Sequence, residues 1–147
     1  ICLSKGLGAP VGSVLIGRQD LIDTARRNRK MLGGGLRQSG ILAAAGLYAL
    51  DNNVTRLAED HRRARRLAEG LAAYPALSVT MPDTNIVFVD VEERIGDRLT
   101  EFLQARGVGI TGRYGQQRWV THLDVDDTMV DGALAEVAAF FGDEGRR

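Results

Sequence analysis

Hydrophobic positions change their spacing at about residue 75, halfway along the chain. Before Pro75 they recur at helical spacing, which is typical of helices with one buried face. After Pro75, alternation and β-branched residues indicate short strands. We predict helices over 19–31, 36–51, 53–74 and 96–107, strands over 77–81, 85–91, 108–111 and 117–123, and a last helix capped by Asp126. From residue 75 the order strand, strand, helix, strand, strand, helix favours a small α+β layer with its helices on one face of the sheet.

The first 17 residues follow another pattern, in which two short apolar runs flank a glycine-rich loop. The runs, 1–3 and 12–17, are predicted strands, and the loop carries one lysine, Lys5, followed by glycines at positions 6, 8 and 12. A lysine amine is ordinarily protonated, with a pKa of about 10.4, and becomes a nucleophile when it is desolvated. Glycines allow a bulky ligand to approach the backbone closely. The residues alone leave two interpretations open: an imine-forming lysine, or an exposed lysine in a glycine-rich turn.

The chain begins with Ile1 inside an apolar run and shows no targeting signal. A buried strand needs neighbours on both sides, so we expect the chain to be the C-terminal piece of a longer protein. The expected organisation is the end of a larger domain over 1–52, a connecting helix over 53–74, and a small α+β domain over 75–147.

Composition narrows the classes of partner. The chain has 44% apolar and 26% charged residues, and its 19 basic side chains balance 19 acidic ones. We therefore expect no nucleic-acid and no membrane partner, because neither net charge nor a long apolar run favours one. The single cysteine, Cys2, fits a reducing cytoplasm and is expected to be buried with a raised pKa. His61 and His122 lack ligand-spaced partners, so we expect no metal site.

Basic side chains form two further candidate sites. Lys30 and Arg37 flank a triple glycine, where they either belong to a solvated face or bind a phosphate group. Arg118 lies in the predicted strand 117–123 and needs an anionic partner if it is buried. That partner is either a structural carboxylate such as Asp124 or a bound ligand, and the sequence alone favours the structural pair.

Four segments together resemble a known family. The run ICLSKGLGAPVGS at 1–13 is followed by RKM at 29–31 with GGGLRQSGILAAAG at 33–46, then DTN at 83–85 and RWVTHLD at 118–124. In this order they resemble the motifs of the low-specificity L-threonine aldolases, which are pyridoxal-phosphate enzymes of fold type I. The resemblance covers residues 1 to about 137.

The resemblance implies a fold and a set of residue roles. The fold would be α/β and fold type I PLP-dependent transferase-like, with the end of the large domain carrying the lysine loop and a small C-terminal α+β domain. Lys5 would bind pyridoxal 5'-phosphate covalently, with Ser4 beside it as a cofactor-binding residue. Lys30 and Arg37 would bind cofactor at a neighbouring subunit's site, and Arg118 would bind the α-carboxylate of the substrate.

The implied reaction is an aldehyde-lyase reaction, the cleavage of L-threonine or L-allo-threonine to glycine and an aldehyde. A small amino-acid substrate and a homo-oligomer, either a dimer or a tetramer, belong to the same expectation. The family's N-terminal half is absent from this sequence, so the chain is expected to be inactive alone. Two alternatives stay open: another fold type I enzyme, such as a β-eliminating lyase or an aminotransferase, or a non-catalytic piece that serves only in assembly.

Overall fold

The computed structural model describes residues 1–113 and 115–144, and Tyr114 and residues 145–147 lie outside the described part. The chain divides into two compact units, Ile1–Leu57 and Ala58–Arg147. The three-part division predicted from sequence, with a separate connecting helix, stays a prediction. No helix among the described residues is both long enough and apolar enough to cross a membrane.

The first unit contains two helices, α1 (Gln19–Met31) and α2 (Gly40–Asn52), and the first residue of a third helix. Helix α1 is confirmed at its predicted bounds, whereas α2 begins four residues later than position 36. The delay has a local cause. Gly33 has φ 88° and Gln38 has φ 46°, and such left-handed residues cannot continue a right-handed helix.

The predicted strand over 12–17 is wrong. Only an isolated antiparallel bridge between Cys2 and Ser13 forms there. It is supported by Leu3 N–H to the Gly12 carbonyl at 3.0 Å and Val14 N–H to the Ile1 carbonyl at 2.8 Å. Apolar character alone does not make a strand, because a ladder needs a hydrogen-bonded partner along its length. Among the described residues of this unit, no further strand supplies one.

The helices and strands of the second unit follow one another in the predicted order. Its elements are α3 (Leu57–Leu71, beginning one residue before the unit), β1 (Leu77–Thr80), β2 (Ile86–Val91), α4 (Glu93–Gln104), β3 (Thr111–Arg113), β4 (Gln116–Val120) and α5 (Asp127–Glu144). Asp126 caps α5 as predicted, because its Oδ1 accepts the Met129 N–H at 2.8 Å.

The four strands form one antiparallel sheet in the order β1-β2-β4-β3. Alternation along β2 sends Val87 and Val89 into the core with no exposed surface, while Phe88 between them faces outward. Helices α3, α4 and α5 contribute the rest of this core, including Leu71, Leu99 and Val137, which are also fully buried. The predicted α+β layer is therefore confirmed, with one face of the sheet covered and the other left open.

Strand β3 starts at Thr111, three residues after the predicted position 108. The intervening residues end helix α4 instead. Gly107 adopts φ 80°, and Val108 donates its N–H to the Leu103 carbonyl at 2.9 Å. This left-handed C-terminal cap occupies the backbone that a longer strand would need.

Candidate functional site

The loop that carries Lys5 is a tight turn closed by two backbone hydrogen bonds. Ala9 donates its N–H to the Leu3 carbonyl at 3.0 Å, and Gly8 donates to the Lys5 carbonyl at 2.8 Å. Leu3, Leu7 and Ala9 are buried in a small cluster with Ala49, whereas Lys5 is exposed. Alternate burial along the loop therefore anchors it and points the lysine outward. Ser4, also exposed, directly precedes the lysine.

Residues near the end of the first unit hold the same loop from the side. Asn53 donates from Nδ2 to the Leu7 carbonyl at 2.7 Å, and Arg56 donates from Nη1 to the Gly6 carbonyl at 3.2 Å. A Cβ at Gly6 would lie 2.9 Å from Leu57 Cδ2, so this position has room for little more than a hydrogen. Sequence reasoning missed Asn53 and Arg56, because the contacts join positions 46 and 50 residues apart, and a single sequence carries no sign of such pairing.

Cys2 differs from its expectation. The side chain is half-buried and its Sγ lies 3.5 Å from Ser4 Oγ. Hydrogen bonding by Ser4 lowers the pKa of the Cys2 thiol, and the positive charge of Lys5 acts in the same direction. The predicted raised pKa is wrong, because the bridge to Ser13 leaves the thiol beside polar groups at the edge of the loop.

Lys30 lies at the end of α1, beside the triple glycine. A Cβ built on Gly35 would fall 2.6 Å from Lys30 Nζ, so the absence of a side chain there makes room for the amine. An open cavity of about 540 Å³ adjoins this turn and is lined by Arg29, Gly33, Gly34, Gly35, Leu36 and Ser39. Arg37 follows on the same turn and is exposed. Among the described residues, no hydrogen bond or ion pair joins Lys30 or Arg37 to Lys5.

Arg118 lies in the middle of β4 on the open face of the sheet, between Phe88 of β2 and Thr111 of β3. The predicted ion pair between Arg118 and Asp124 does not form. Asp124 contacts His122 instead. Its backbone N–H donates a hydrogen bond to His122 Nδ1 at 3.3 Å, and its carboxylate Oδ2 lies 3.7 Å from the same nitrogen. Within the described part of the chain, no carboxylate oxygen lies within 4.0 Å of the Arg118 guanidinium. The Arg118 side chain is exposed on this face of the sheet.

Hydrogen bonds join the two C-terminal motifs that the sequence singled out. Asn85 donates from Nδ2 to the Thr121 carbonyl at 2.8 Å, and Thr121 donates its N–H to the Asn85 carbonyl at 3.0 Å. Thr121 is buried, and its hydroxyl donates to the Asp60 carbonyl at 2.7 Å. Because Thr121 directly follows β4, these contacts fix the end of that strand and so hold the backbone that carries Arg118.

Comparison with known proteins agrees with this fold and these motifs. Residues 1–94 match the family model described as beta-eliminating lyase. The low specificity L-threonine aldolase of Escherichia coli K12 is 55% identical over 139 residues, which cover 95% of this chain and 40% of that protein.

Solved structures share the fold at low sequence identity. A putative aromatic amino acid beta-eliminating lyase/threonine aldolase from Exiguobacterium superimposes with a TM-score of 0.69 and 22% identity, covering 92% of this chain and 42% of that one. A variant of C-DES, which has glycine covalently linked to its PLP cofactor, superimposes with a TM-score of 0.55 and 20% identity over 68% of this chain and 28% of its own.

The fold is therefore that of the fold type I PLP-dependent enzymes, as the sequence predicted. Within that class, the chain belongs to the beta-eliminating lyase family. It spans about two fifths of the length of the curated relatives it matches.

Proposed function

We propose that this chain supplies the cofactor-binding lysine and the carboxylate-binding arginine of a PLP-dependent aldehyde-lyase. The enzyme would cleave β-hydroxy-α-amino acids such as L-threonine and L-allo-threonine into glycine and an aldehyde. One observation carries the proposal. Lys5 is exposed on a loop whose flanking residues are buried and hydrogen-bonded, in a sequence 55% identical to a bacterial low specificity L-threonine aldolase.

The residues present fit pyridoxal 5'-phosphate. Its aldehyde needs an amine that it can reach, and the Lys5 side chain is exposed on its loop. Its phosphate needs cations and close backbone approach, which Lys30, Arg37 and the cavity beside the triple glycine provide. The bound cofactor supplies an electron sink that stabilises the negative charge left at Cα when the Cα–Cβ bond breaks.

Lys5 has two tasks in this proposal. Its Nζ would hold the cofactor covalently, and once exchanged for the substrate amine, the lysine amine would deliver a proton to Cα. The contacts of Asn53 and Arg56 with the loop carbonyls keep the lysine backbone in place during that exchange. Ser4, at the position just before the lysine, would donate a hydrogen bond from its hydroxyl to the cofactor.

Arg118 binds the α-carboxylate of the substrate in this proposal. A guanidinium presents two parallel N–H donors, which fit the two oxygens of a carboxylate. Holding the carboxylate fixes rotation about the N–Cα bond and so determines which bond to Cα is aligned for cleavage. The hydrogen bonds among Asn85, Thr121 and Asp60 support this role by fixing the strand end.

We also propose a homo-oligomer, a dimer or a tetramer, with residues 31–48 near a subunit interface. Large apolar side chains in this segment are exposed: Met31 67%, Leu32 88%, Leu36 70%, Ile41 82%, Leu47 62% and Tyr48 65%. A concentration of exposed apolar side chains in one segment is characteristic of a surface that another element covers. The single free cysteine supports a reducing compartment, and we place the enzyme in the cytoplasm on that ground.

Borohydride reduction of the full-length protein loaded with cofactor tests the lysine assignment. The expected result is a pyridoxyl group on the peptide carrying Lys5, lost in Lys5→Arg and kept in the matched Lys30→Arg variant. A label on Lys30 would overturn the assignment. Assays with threonine, phenylserine and a keto acid test the reaction class, because glycine release identifies an aldolase and amino-group transfer to the keto acid identifies an aminotransferase.

A further inference from the structure

Phe88 is the direct cross-strand neighbour of Arg118 on the open face of the sheet. The two residues are register partners between β2 and β4, and Thr111 of β3 flanks the arginine on its other side. Side chains at directly opposed positions of an antiparallel pair have Cβ atoms roughly 4.5–5.5 Å apart. The phenylalanine ring and the arginine stem therefore share one patch of the sheet surface.

Core packing does not account for an aromatic residue at this position. The other phenylalanines of the second unit are in ring contacts with one another or with tyrosine. Tyr74 stacks on Phe141 at 4.4 Å, and Phe102 meets Phe140 edge-on at 5.4 Å. Phe88 instead leaves 39% of its surface exposed, between two valines that have none exposed. Solvent-facing strand positions beside an arginine are ordinarily occupied by polar residues, so the phenylalanine here is unusual.

An apolar neighbour changes what an exposed arginine can bind. A guanidinium in open water attracts a carboxylate only weakly, because water screens the charges and competes for the hydrogen bonds. A ring beside the arginine excludes water from one side of the ion pair, and it restricts the rotamers of a long, flexible side chain. Both effects strengthen carboxylate binding without any contact between the ring and the carboxylate.

We propose that Phe88 is a positioning residue for Arg118, which raises the affinity of that arginine for the α-carboxylate of an amino-acid substrate. This inference rests on the proposed function of Arg118. It assigns Phe88 an effect on substrate binding rather than on bond cleavage, because the ring acts through the arginine.

The test uses the full-length protein and three variants at or near this position. Phe88→Leu leaves a smaller side chain that covers less of the arginine, and Phe88→Tyr keeps the ring. Ile86→Val is the matched control, because Ile86 is on the same face of the same strand and pairs with Val120 instead of Arg118. We expect KM for threonine to rise about two- to fivefold in Phe88→Leu, the range for weakening an exposed ion pair, with kcat within twofold of the parent. Phe88→Tyr and Ile86→Val should keep the parental KM.

A double-mutant cycle with Arg118→Lys separates this inference from the proposed function. If Phe88 acts through Arg118, adding Phe88→Leu to Arg118→Lys raises KM no further. An additive effect, an unchanged KM in Phe88→Leu, or an equal rise in Ile86→Val would overturn the role of Phe88 while leaving that of Arg118 intact. An unchanged KM in Arg118→Lys itself would overturn both.

Discussion

Arg62 of α3 and Asp127 of α5 form a two-pronged ion pair, in which Nη2 of the arginine is 2.8 Å from each carboxylate oxygen. Arg63 and Arg66 also lie within 4.0 Å of the same carboxylate, at 3.4 and 3.8 Å. Asp127 is the first residue of α5, where a negative charge also interacts favourably with the helix dipole. The hydrogen bond from Arg62 is the main cause that lowers the pKa of Asp127 below its ordinary value of 3.8.

This lowered pKa makes a prediction about acid stability. A carboxylate whose pKa is lower in the folded state stabilises the fold above its unfolded pKa, and that stabilisation is lost as the pH falls through the folded value. Asp127→Asn should therefore lower the urea midpoint at pH 7 and flatten its decline below about pH 4. Urea unfolding of the 147-residue chain across pH 2–7 measures both. Asp97→Asn, at an exposed position on α4, is the control and should follow the parental curve. An unaltered pH slope in Asp127→Asn would contradict the prediction.

Leu99 provides a test of the core beneath the sheet. It lies on α4 with no exposed surface and packs in the main cluster of the second unit. Leu99→Ala should lower the free energy of unfolding by about 2–5 kcal/mol, because it removes buried methyl groups and leaves a cavity. Met129→Ala, at a side chain that is 57% exposed, should change it by less than about 0.5 kcal/mol. Chemical denaturation of both variants checks the contrast.

The sequence predicted the second unit well because its elements repeat their own pattern. The β-branched residues of 85–91 predicted a strand there, and the structure confirms it as β2 (Ile86–Val91). It failed where the backbone conformation depends on distant partners. The apolar run at 12–17 lacks the strand that would pair with it. The hydrogen bond of Asn53 with the loop joins parts of the chain that no local pattern connects.

The candidate site shows the same division. Lys5 and Arg118 were identified by motif, and the placement of Lys5 on an anchored loop and of Arg118 on an open sheet face supports their proposed roles. The pairing of Arg118 with Asp124 failed, because strand alternation ends at Val120. Beyond that residue the chain turns, so that Asp124 hydrogen-bonds to His122 instead.

Arg118→Lys in the full-length protein tests carboxylate binding. Lysine keeps the positive charge but loses the planar pair of donors, so KM for threonine should rise about tenfold or more while the cofactor still binds. Steady-state kinetics give KM, and the absorbance of the bound cofactor gives its occupancy. A parental kcat/KM would refute the assignment, and loss of the cofactor would indicate a different role for the arginine.

The proposed role of Lys30 and Arg37 predicts an effect of their substitution on cofactor affinity. If they bind the phosphate group, Lys30→Gln and Arg37→Gln should each weaken cofactor binding about tenfold, roughly the loss of one charge-assisted hydrogen bond. Cofactor titration monitored by absorbance measures this. Arg65→Gln, at an exposed position on α3, is the control and should bind cofactor as the parent does. Normal cofactor affinity in both Lys30→Gln and Arg37→Gln would contradict the phosphate-binding role. It would favour the alternative interpretation, in which these residues belong to a solvated face.

The 147-residue chain assayed by itself should release no glycine from threonine and pyridoxal phosphate above a no-protein control. The reason lies in the first unit, where Ile1, Leu15 and Ile16 are 65%, 68% and 71% exposed. Burying one such side chain contributes about 1.5–3 kcal/mol, so a unit that leaves several in water lacks much of the stabilisation of a complete domain. An imine formed on that exposed lysine would be open to hydrolysis. Glycine release is measured directly, with the full-length protein as the positive control. Turnover by the isolated chain comparable to that control would show that this chain alone contains a complete active site.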